Sequence, residues 1–136
     1  MLLTNVVAQA EEESTKEAYE FVAERCSKRA EELFRHEWGT GVVASKGVTM
    51  TADGTNHWNT KLNACFQRLT ITKTDKEMVI TTVTITDVNE QRVVATYGKS
   101  VANKSNLFKQ NACSVDGQPC ESQDQWESQV AHYMRD

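Results

Sequence analysis

Long apolar runs, proline and glycine are all scarce in this chain of 136 residues. No segment approaches the roughly 18 consecutive apolar residues that a transmembrane helix needs, so we expect no membrane-spanning segment. One proline and six glycines exclude a collagen-like chain and a disordered chain rich in those residues. Since a chain of this length can bury one core but not two, the sequence predicts a single soluble domain.

Long basic stripes are also missing. Nucleic-acid binding requires grouped Lys and Arg side chains that displace the counterions of the phosphates. Residues 1–38 carry nine acidic and five basic residues, whereas residues 39–136 carry ten of each, so the net charge of −4 belongs entirely to the first segment. We therefore expect no nucleic-acid partner, and we interpret the glutamates of that segment as the solvated face of a helix.

The first ten residues have the features of a processed export signal. They are mostly apolar and end in Ala8-Gln9-Ala10, which suits cleavage by signal peptidase, but they lack a basic start. The sequence therefore predicts a trimmed signal-peptide remnant over 1–10 and a mature domain over 11–136. A protein exported in this way is periplasmic or secreted and works in an oxidising compartment. The alternative is a short apolar lead-in to the first helix.

Apolar residues recur at helical spacing from Ser14 onward. Ser14 and Glu17 form a candidate capping box, and Gly39 is a natural helix stop. This pattern predicts one long amphipathic helix over residues 15–37, packed on a sheet. The apolar stripe consists of Tyr19, Val22, Ala23, Cys26, Ala30, Leu33 and Phe34.

Residue types change to Val, Thr and Ile between residues 41 and 101, which predicts β structure. The connections between the segments are too short for parallel crossovers, so the strands form an antiparallel meander. With the long helix, this predicts an α+β fold whose sheet has about four strands. We expect a strand over 41–50 that breaks near Ser45-Lys46-Gly47, a loop at Asp53-Gly54, and strands over 63–73, 78–87 and 92–101.

The apolar alternation of these strands predicts a register. Leu69 is expected beside Val83, and Val83 beside Ala95, so that all apolar side chains lie on the side of the sheet that the helix covers. The apolar sets of the three strands are Cys65, Leu69 and Ile71, then Val79, Val83 and Ile85, then Val93, Ala95 and Tyr97.

The C-terminal part of the chain predicts a disulfide hairpin and a short helix. Asp116-Gly117 is a type I′ turn signal, which places Cys113 opposite Cys120. A final helix begins at Ser122 with Gln125 three residues later, and its apolar positions again form one stripe. Those positions are Trp126, Val130, Tyr133 and Met134.

Four cysteines allow three disulfide pairings, and periodicity selects one of them. Cys26 lies in the stripe of the long helix, and Cys65 lies on the expected apolar sheet face, so both sulfurs point into the helix–sheet interface. Cys113 and Cys120 face each other across a turn, at a separation that a disulfide spans. The sequence predicts the bridges Cys26–Cys65 and Cys113–Cys120.

Patterns for metal binding and catalysis are absent. Cys113, Cys120 and His132 could form a zinc site, but their spacing matches no ordinary zinc arrangement. The three histidines, His36, His57 and His132, are scattered, so spacing assembles no triad and no metal cluster. We expect neither a metal nor another cofactor, and the sequence favours a role that is not enzymatic.

Two threonine runs offer a candidate binding surface. Thr70, Thr72 and Thr74 alternate along one predicted strand, and Thr82, Thr84 and Thr86 alternate along the next. In the expected register both runs lie on the face away from the helix, where a flat ladder of hydroxyls could bind ice or a glycan. The alternative is that threonine is simply a favourable polar residue for the solvent side of a strand.

Aromatic residues beside histidines offer a second candidate. His57-Trp58 precedes the strand that carries Cys65, and Trp38 lies near His36 at the end of the long helix. Tryptophan is enriched in binding hot spots, so His57, Trp58 and Trp38 are candidate binding residues. The alternative, which we favour, is that each tryptophan closes an edge of the core.

One short motif resembles a known group of proteins. The stretch His57-Trp58-Asn59, Lys61-Leu62-Asn63 and Cys65-Phe66, with the later cysteine pair and the ending Tyr133-Met134, is similar to small exported bacterial proteins of uncharacterised function that have two cysteine pairs. In that group tyrosine stands where this chain has Trp58. The resemblance implies export and disulfides, and it implies no activity. The order of elements also resembles that of cystatin-type folds. A likeness of fold alone indicates no function.

Three functions remain open from the sequence. The leading hypothesis is a non-enzymatic binding or inhibitor-like module of the cell envelope with a protein partner. The second is a small-ligand carrier or enzyme that uses a pocket between helix and sheet, for which a pocket of roughly 300 Å³ or more would be needed. The third is ice or glycan binding through the threonine-rich face. The oligomeric state stays open.

Overall fold

The computed structural model describes the backbone of residues 2–136 and the side chains from residue 15 onward. Met1 and the side chains of the expected signal-peptide remnant, residues 1–10, lie outside this described part. Two helices flank an antiparallel sheet in which neighbours in sequence are neighbours in space. The elements are α1 Leu2–Trp38, β1 Val42–Ser45, β2 Val48–Asn59, β3 Ala64–Thr74, β4 Met78–Asp87, β5 Arg92–Ala102, β6 Phe108–Val115, β7 Gln118–Pro119 and α2 Gln123–Met134.

The α+β fold and the antiparallel meander are confirmed, but the sheet has seven strands where about four were expected. One extra strand arises at Lys46-Gly47, where φ angles of 51° and 80° make a tight turn and split the first segment into β1 and β2. The others arise because the disulfide hairpin, β6 and β7, continues the sheet by pairing with β5. No described helix contains a segment long and apolar enough to span a bilayer.

The predicted loop at Asp53-Gly54 is wrong, because both residues lie inside β2. Gly54 pairs with Leu69 of β3 in an uninterrupted ladder. The ring of Phe34 lies so close above it that a Cβ on Gly54 would be 3.3 Å from Phe34 Cδ2. Glycine at this position lets the helix approach the strand and does not mark a turn.

Helix α1 begins at Leu2, so the predicted start near Ser14 and its capping box with Glu17 are wrong. Residues 2–14 contain neither Gly nor Pro, and most are good helix formers, so nothing interrupts the helix before Ser14. The predicted end is confirmed. Gly39 follows the last helical residue with φ +57° and donates its N–H to the Arg35 carbonyl at 2.9 Å.

The predicted register is wrong by one residue between β3 and β4. Leu69 pairs with Thr84, and Val83 pairs with Thr70, so Leu69 and Val83 point to opposite faces. Each face carries buried apolar side chains, because a different helix covers part of it. Helix α1 packs on the face that carries Cys65, Gln67, Leu69 and Ile71, which we call the α1 face; α2 packs on the face that carries Phe66, Arg68, Val83 and Ile85, which we call the α2 face.

A bulge in β4–β5 adds a second correction. The pairing shifts between Ile85 and Thr86, so Ala95 pairs with Ile85 whereas Val93 pairs with Thr86. Ala95 is buried under α2, and Val93 is 54% exposed on the other side. The expectation that Val93 shares a face with Ala95 is therefore wrong, because the extra residue of the bulge reverses the alternation.

The threonine runs do not form one array. Because of the register, Thr70 and Thr72 lie on the α2 face, whereas Thr82 and Thr84 lie on the α1 face. The expectation of a single ladder from both strands on one face is wrong. A slip of one residue moves a whole strand's side chains to the other face.

Two separate clusters of buried side chains correspond to the two covered faces. The larger lies between α2 and the sheet and contains the fully buried Trp126 together with Tyr97 and Ile85. The smaller lies between α1 and the sheet and consists of Cys26, Ala30, Cys65 and Val88, with Leu33 and Trp58 packed against it.

Both predicted disulfides are confirmed. Cys26–Cys65 joins α1 to β3 with a Cα–Cα distance of 5.4 Å, and Cys113–Cys120 closes the β6–β7 hairpin with a distance of 5.1 Å. The first bridge is the covalent core of the smaller cluster. The second lies at the edge of the larger one.

The predicted hairpin turn and the start of the last helix are also confirmed. Asp116 and Gly117 have φ angles of 52° and 78°, as a type I′ turn requires. Ser122 caps α2 by accepting the Gln125 N–H on its Oγ at 3.1 Å. The Gln125 side chain returns to the backbone N–H of Glu121 at 2.6 Å.

Candidate functional site

A cleft of about 530 Å³ opens between α1 and the sheet, on the α1 face. It lies at the end of the sheet where the β2–β3 and β4–β5 turns are found, and Asn89 of the latter turn forms one edge. The Cys26–Cys65 disulfide and the half-buried indole of Trp58 form the floor. This volume lies within the range of small-molecule sites.

Helical periodicity explains which side chains border the cleft. Cys26 and Ala30 face the sheet and are buried. Beside them the helix carries a row of side chains at intervals of three or four residues, and this row borders the cleft: Val22, Arg25, Arg29 and Glu32.

The cleft is basic although the helix that borders it is acidic. Arg25, Lys28 and Arg29 contribute three positive charges, and Glu32 contributes one negative charge. Lys28 is paired with Glu24 at 3.2 Å, in an ion pair of exposed side chains that contributes little to stability.

The two arginines of the cleft have no acidic partner among the residues whose side chains the structure describes. The guanidinium of Arg25 lies 5.7 Å from the ring centroid of Phe21. The ion pairs of the described residues involve neither Arg25 nor Arg29, so no described carboxylate lies within 4.0 Å of their nitrogens. Their N–H groups are available to a ligand from solvent.

Trp58 and its neighbours point to different sides of the sheet. As strand alternation requires, Trp58 lies on the α1 face, in contact with the Cys26–Cys65 cluster, whereas His57 and Asn59 lie on the α2 face. His57 and Trp58 were named together as candidate binding residues, and the structure places them on opposite faces of the sheet. Only Trp58 borders the cleft.

Asn59 holds the C-terminal end of α2. Its side chain is 1% exposed, and its Nδ2 donates to the carbonyls of His132, Tyr133 and Arg135 at 2.6, 3.2 and 3.2 Å. Its Oδ1 accepts the N–H of Leu62 at 2.9 Å. The amide thus satisfies carbonyls that the end of a helix leaves unpaired.

His57 continues the same anchor. Its Nε2 lies 3.1 Å from Asp136 Oδ1. Thr60 donates its backbone N–H to Oδ1 at 3.1 Å and its hydroxyl to Oδ2 at 3.2 Å. The hydrogen bonds from Thr60 and then from His57 hold the pKa of Asp136 below its usual value.

These three residues do not form a nucleophilic triad. A hydroxyl nucleophile needs a base that accepts its proton and a third group that orients the base. Here the hydroxyl of Thr60 and the ring of His57 both bind the carboxylate of Asp136, so the carboxylate lies between them. The arrangement is that of a structural clasp.

Helix α2 is held to the sheet by a second polar pair. Arg68 Nη1 and Nη2 bind Glu127 Oε2 and Oε1 at 2.8 and 2.5 Å, and the guanidinium lies 5.4 Å from the ring centroid of Trp126. The hydrogen bonds from Arg68 lower the pKa of Glu127. This pair explains how a charged side chain fits on the α2 face.

Trp38 lies apart from the cleft. It is partly buried at the end of α1, and its Nε1 is buried without a hydrogen-bond partner among the described residues. His36, which precedes it by two positions, is exposed. Trp38 and Trp58 therefore do not share a site.

Metal-binding groups are not assembled in the described part of the chain. No three or more His, Cys, Asp or Glu side chains of these residues are placed to hold a metal ion. Cys113 and Cys120 are joined to each other, and the ring Nδ1 of His132 lies 2.7 Å from the Gln129 carbonyl.

Comparison with known proteins identifies no relative: no family model, no curated protein and no solved structure matches the chain. The resemblance to small exported bacterial proteins thus depends on the short motifs alone. The structure does contain the two disulfide-bonded cysteine pairs that fit such a protein.

The arginines of the cleft were missed in the sequence. The glutamates of the helix were interpreted as its solvated face, and its arginines were not considered as a site. A usable signal was present: Arg25 and Arg29 are four residues apart, so they lie on one side of the helix beside Cys26. Their partner surface, Trp58 and Asn89, comes from distant segments that only folding brings to the helix.

Proposed function

We propose that this chain is a non-enzymatic ligand-binding module of the cell envelope, which holds a small ligand in the cleft between α1 and the sheet. The observation that carries the proposal is the cleft itself, about 530 Å³ in volume and bordered by Trp58, Asn89 and the basic residues Arg25, Lys28 and Arg29 of α1. A few polar groups beside an aromatic surface are typical of small-ligand sites.

The disulfides support the assignment to an extracytoplasmic compartment. All four cysteines are paired, and one bridge forms the floor of the cleft. Such bonds persist in oxidising compartments and are rare in reducing ones. This chemistry and the expected export signal support a periplasmic or secreted localisation.

Fragment screening by NMR tests the proposal. Isotope-labelled protein is titrated with a library of small fragments, and shifted backbone amides are mapped onto the structure. We expect the shifts to concentrate around Val22, Cys26, Trp58 and Asn89. Replacing Val22 by Trp fills the cleft and should abolish these shifts.

A matched variant separates filling of the cleft from the effect of an added indole. Val42 is 58% exposed on the edge strand β1, away from the cleft, so Val42→Trp should leave the shifts unchanged. Fragments that map elsewhere, or that bind Val22→Trp as well as the wild type, would contradict the proposal. An envelope protein that binds wild type and Val22→Trp equally would instead support the inhibitor-like module.

A row of hydroxyls on the α1 face supports glycan binding as a second candidate function. Thr84, Thr96 and Ser114 are direct neighbours across β4, β5 and β6, and all three are partly exposed. Helix α1 packs on β2 and β3, so this row lies beside the helix. The row differs from the predicted array in that only one of the two threonine runs contributes.

Cosedimentation with an insoluble polysaccharide, such as purified peptidoglycan, tests this candidate. Glutamate at Thr84 and Thr96 should release the protein from the pellet. The control places glutamate at Thr72, on the opposite face. Equal release by the two variants, or no sedimentation of the wild type, would exclude glycan binding through this row.

A further inference from the structure

The basic residues of α1 are concentrated at the cleft. Five Lys or Arg residues occur in residues 1–38, and three of them, Arg25, Lys28 and Arg29, border the cleft. Of the six glutamates of this segment whose side chains the structure describes, only Glu32 borders it. The local charge is therefore positive in a segment whose net charge is −4, and this reversal coincides with the concave surface.

Arg25 and Arg29 are placed to act together. Residues four apart on a helix lie one above the other, with Cβ atoms about 5–6 Å apart, so Arg25 and Arg29 reach into the same part of the cleft. A guanidinium stays charged at all physiological pH values and donates up to five hydrogen bonds. Two of them match the oxygens of a carboxylate, sulfonate or phosphate.

The floor offers a different chemistry. Trp58 presents a half-buried ring, and it packs against the cluster that contains the disulfide-bonded residues Cys26 and Cys65, which are 5% and 1% exposed. This surface is apolar and rigid because a covalent bond joins its two sides. It suits a planar apolar group, which loses little entropy on binding to a preformed surface.

From this juxtaposition we infer that the ligand of the cleft is a small organic anion, with its acidic group on Arg25 and Arg29 and a planar apolar part against Trp58. The inference depends on the proposed function, because it assigns the ligand class of the same cleft. The volume of about 530 Å³ matches that of small-molecule sites, so we assign a free small molecule and not a polymer.

A pair of probes with the same rings tests the inference. Anilinonaphthalenesulfonate carries a sulfonate, and phenylnaphthylamine is its uncharged counterpart. Both become fluorescent in an apolar site, so their dissociation constants are measured in the same way. We expect the anion to bind about tenfold more tightly, as charge-assisted hydrogen bonds imply, and the difference to shrink as salt is added.

Variants without the arginine charges test whether Arg25 and Arg29 cause the preference for the anionic probe. The double variant Arg25→Gln, Arg29→Gln should reduce the affinity for the anion to that for the neutral probe and leave the neutral probe unchanged. The control Lys76→Gln, Lys104→Gln removes the same charge from exposed residues in turns at the opposite end of the sheet, and it should keep the preference. Near-UV circular dichroism verifies native packing, since the anionic probe also binds loosely packed states.

The outcomes separate the two proposals. If Val22→Trp abolishes binding of both probes but the arginine variant does not lower the anion's affinity, the cleft binds ligands and the inference of an anion is wrong. The inference of an anion is also wrong if the wild type binds both probes with equal affinity or binds neither. If the probes bind Val22→Trp as well as the wild type, they do not occupy the cleft, and the proposed function itself fails.

Discussion

Asn59 Nδ2 donates a hydrogen bond to the backbone carbonyl of His132 at 2.6 Å, across 73 positions of the chain. Asn59 ends strand β2, and His132 lies in the last turn of α2. The adjacent residue of β2, Trp58, packs on the opposite side against the disulfide that holds α1. The His57-Trp58-Asn59 motif therefore fastens one helix to each face of the sheet.

Replacing Asn59 by Ala should destabilise the fold by about 2–3 kcal/mol, because the buried carbonyls at the end of α2 lose their donor. Urea unfolding followed by circular dichroism measures the change. Asn111 is exposed, so Asn111→Ala should change the stability by less than about 0.5 kcal/mol. A loss at Asn59 no larger than at Asn111 would mean that solvent replaces the amide at no cost.

The two disulfides should differ in their contribution to stability. Cys26–Cys65 closes a loop with a sequence separation of 39, and Cys113–Cys120 closes one of 7. Loop-closure entropy then predicts a loss of about 4 kcal/mol for Cys26→Ala, Cys65→Ala and about 2.5 kcal/mol for Cys113→Ala, Cys120→Ala. Unfolding of both variants under the same conditions gives the comparison. A larger loss for the hairpin bridge would contradict the ranking.

Stability at high pH should depend on Tyr133. Burial first, and then the hydrogen bond to Asp116, raise the pKa of Tyr133 from 10 to about 12. The neutral phenol is thus favoured in the folded state, and its contribution is complete below pH 10. It is lost as the pH rises towards 12, because the unfolded chain releases this proton first.

Ultraviolet titration of the phenolates measures this pKa directly. Tyr133→Phe should remove the component that titrates near pH 12 and should flatten the loss of stability between pH 10 and 12. Tyr19 is 40% exposed, so Tyr19→Phe should leave that component in place. A component near pH 12 that survives Tyr133→Phe would assign the shift to another tyrosine.

Gly54→Ala should destabilise the packing of α1 on the sheet by about 1–2 kcal/mol. The new Cβ would lie 3.3 Å from Phe34 Cδ2 and 3.4 Å from Gln67 Nε2, so the ring or the amide must move. The Gln67 amide donates to the Ala30 carbonyl of α1 at 3.1 Å, which limits its movement. Chemical unfolding of the variant measures the loss.

Two further variants identify the cause of that loss. Phe34→Leu removes the ring. In the Phe34→Leu background, Gly54→Ala should therefore reduce the stability by less than it does in the wild type, as a double-mutant cycle will show. Gly98→Ala is the control, because its Cβ would be 3.5 Å from Ala112 Cβ, an ordinary contact. Equal losses of stability from Gly54→Ala and Gly98→Ala would indicate an effect of the glycine backbone alone.

Local patterns predicted the elements well where one signal acts over a few residues. The stop at Gly39, the turn at Asp116-Gly117 and the cap at Ser122 are all as expected, because each depends on backbone chemistry within one turn. Gly54 was misinterpreted because it was also assigned from its neighbours in sequence. Its role is set by Phe34, which comes from another element and leaves no trace in the neighbouring residues.

The register between β3 and β4 could not be derived from alternation. Alternation identifies the core side of a strand only when one face of the sheet is buried. Leu69 and Val83 both look like inward-facing residues, yet they lie on opposite faces because a helix covers each side. At the candidate site, His57 and Trp58 were considered together although they lie on opposite faces of the sheet, and Arg25 and Arg29 were not considered.

The amino-acid sequence alone determined the disulfide pairing, since Cys26 and Cys65 follow from helix and strand periodicity, and the hairpin pair follows from its turn. Only the tertiary structure decided which helix covers which face, and with it the cleft. Periodicity indicates which side chains are buried. Which helix packs on which face of the sheet depends on contacts between segments that are distant in the sequence. The cleft beside Trp58 exists because α1 packs on β2 and β3 and leaves its arginine-bearing side uncovered.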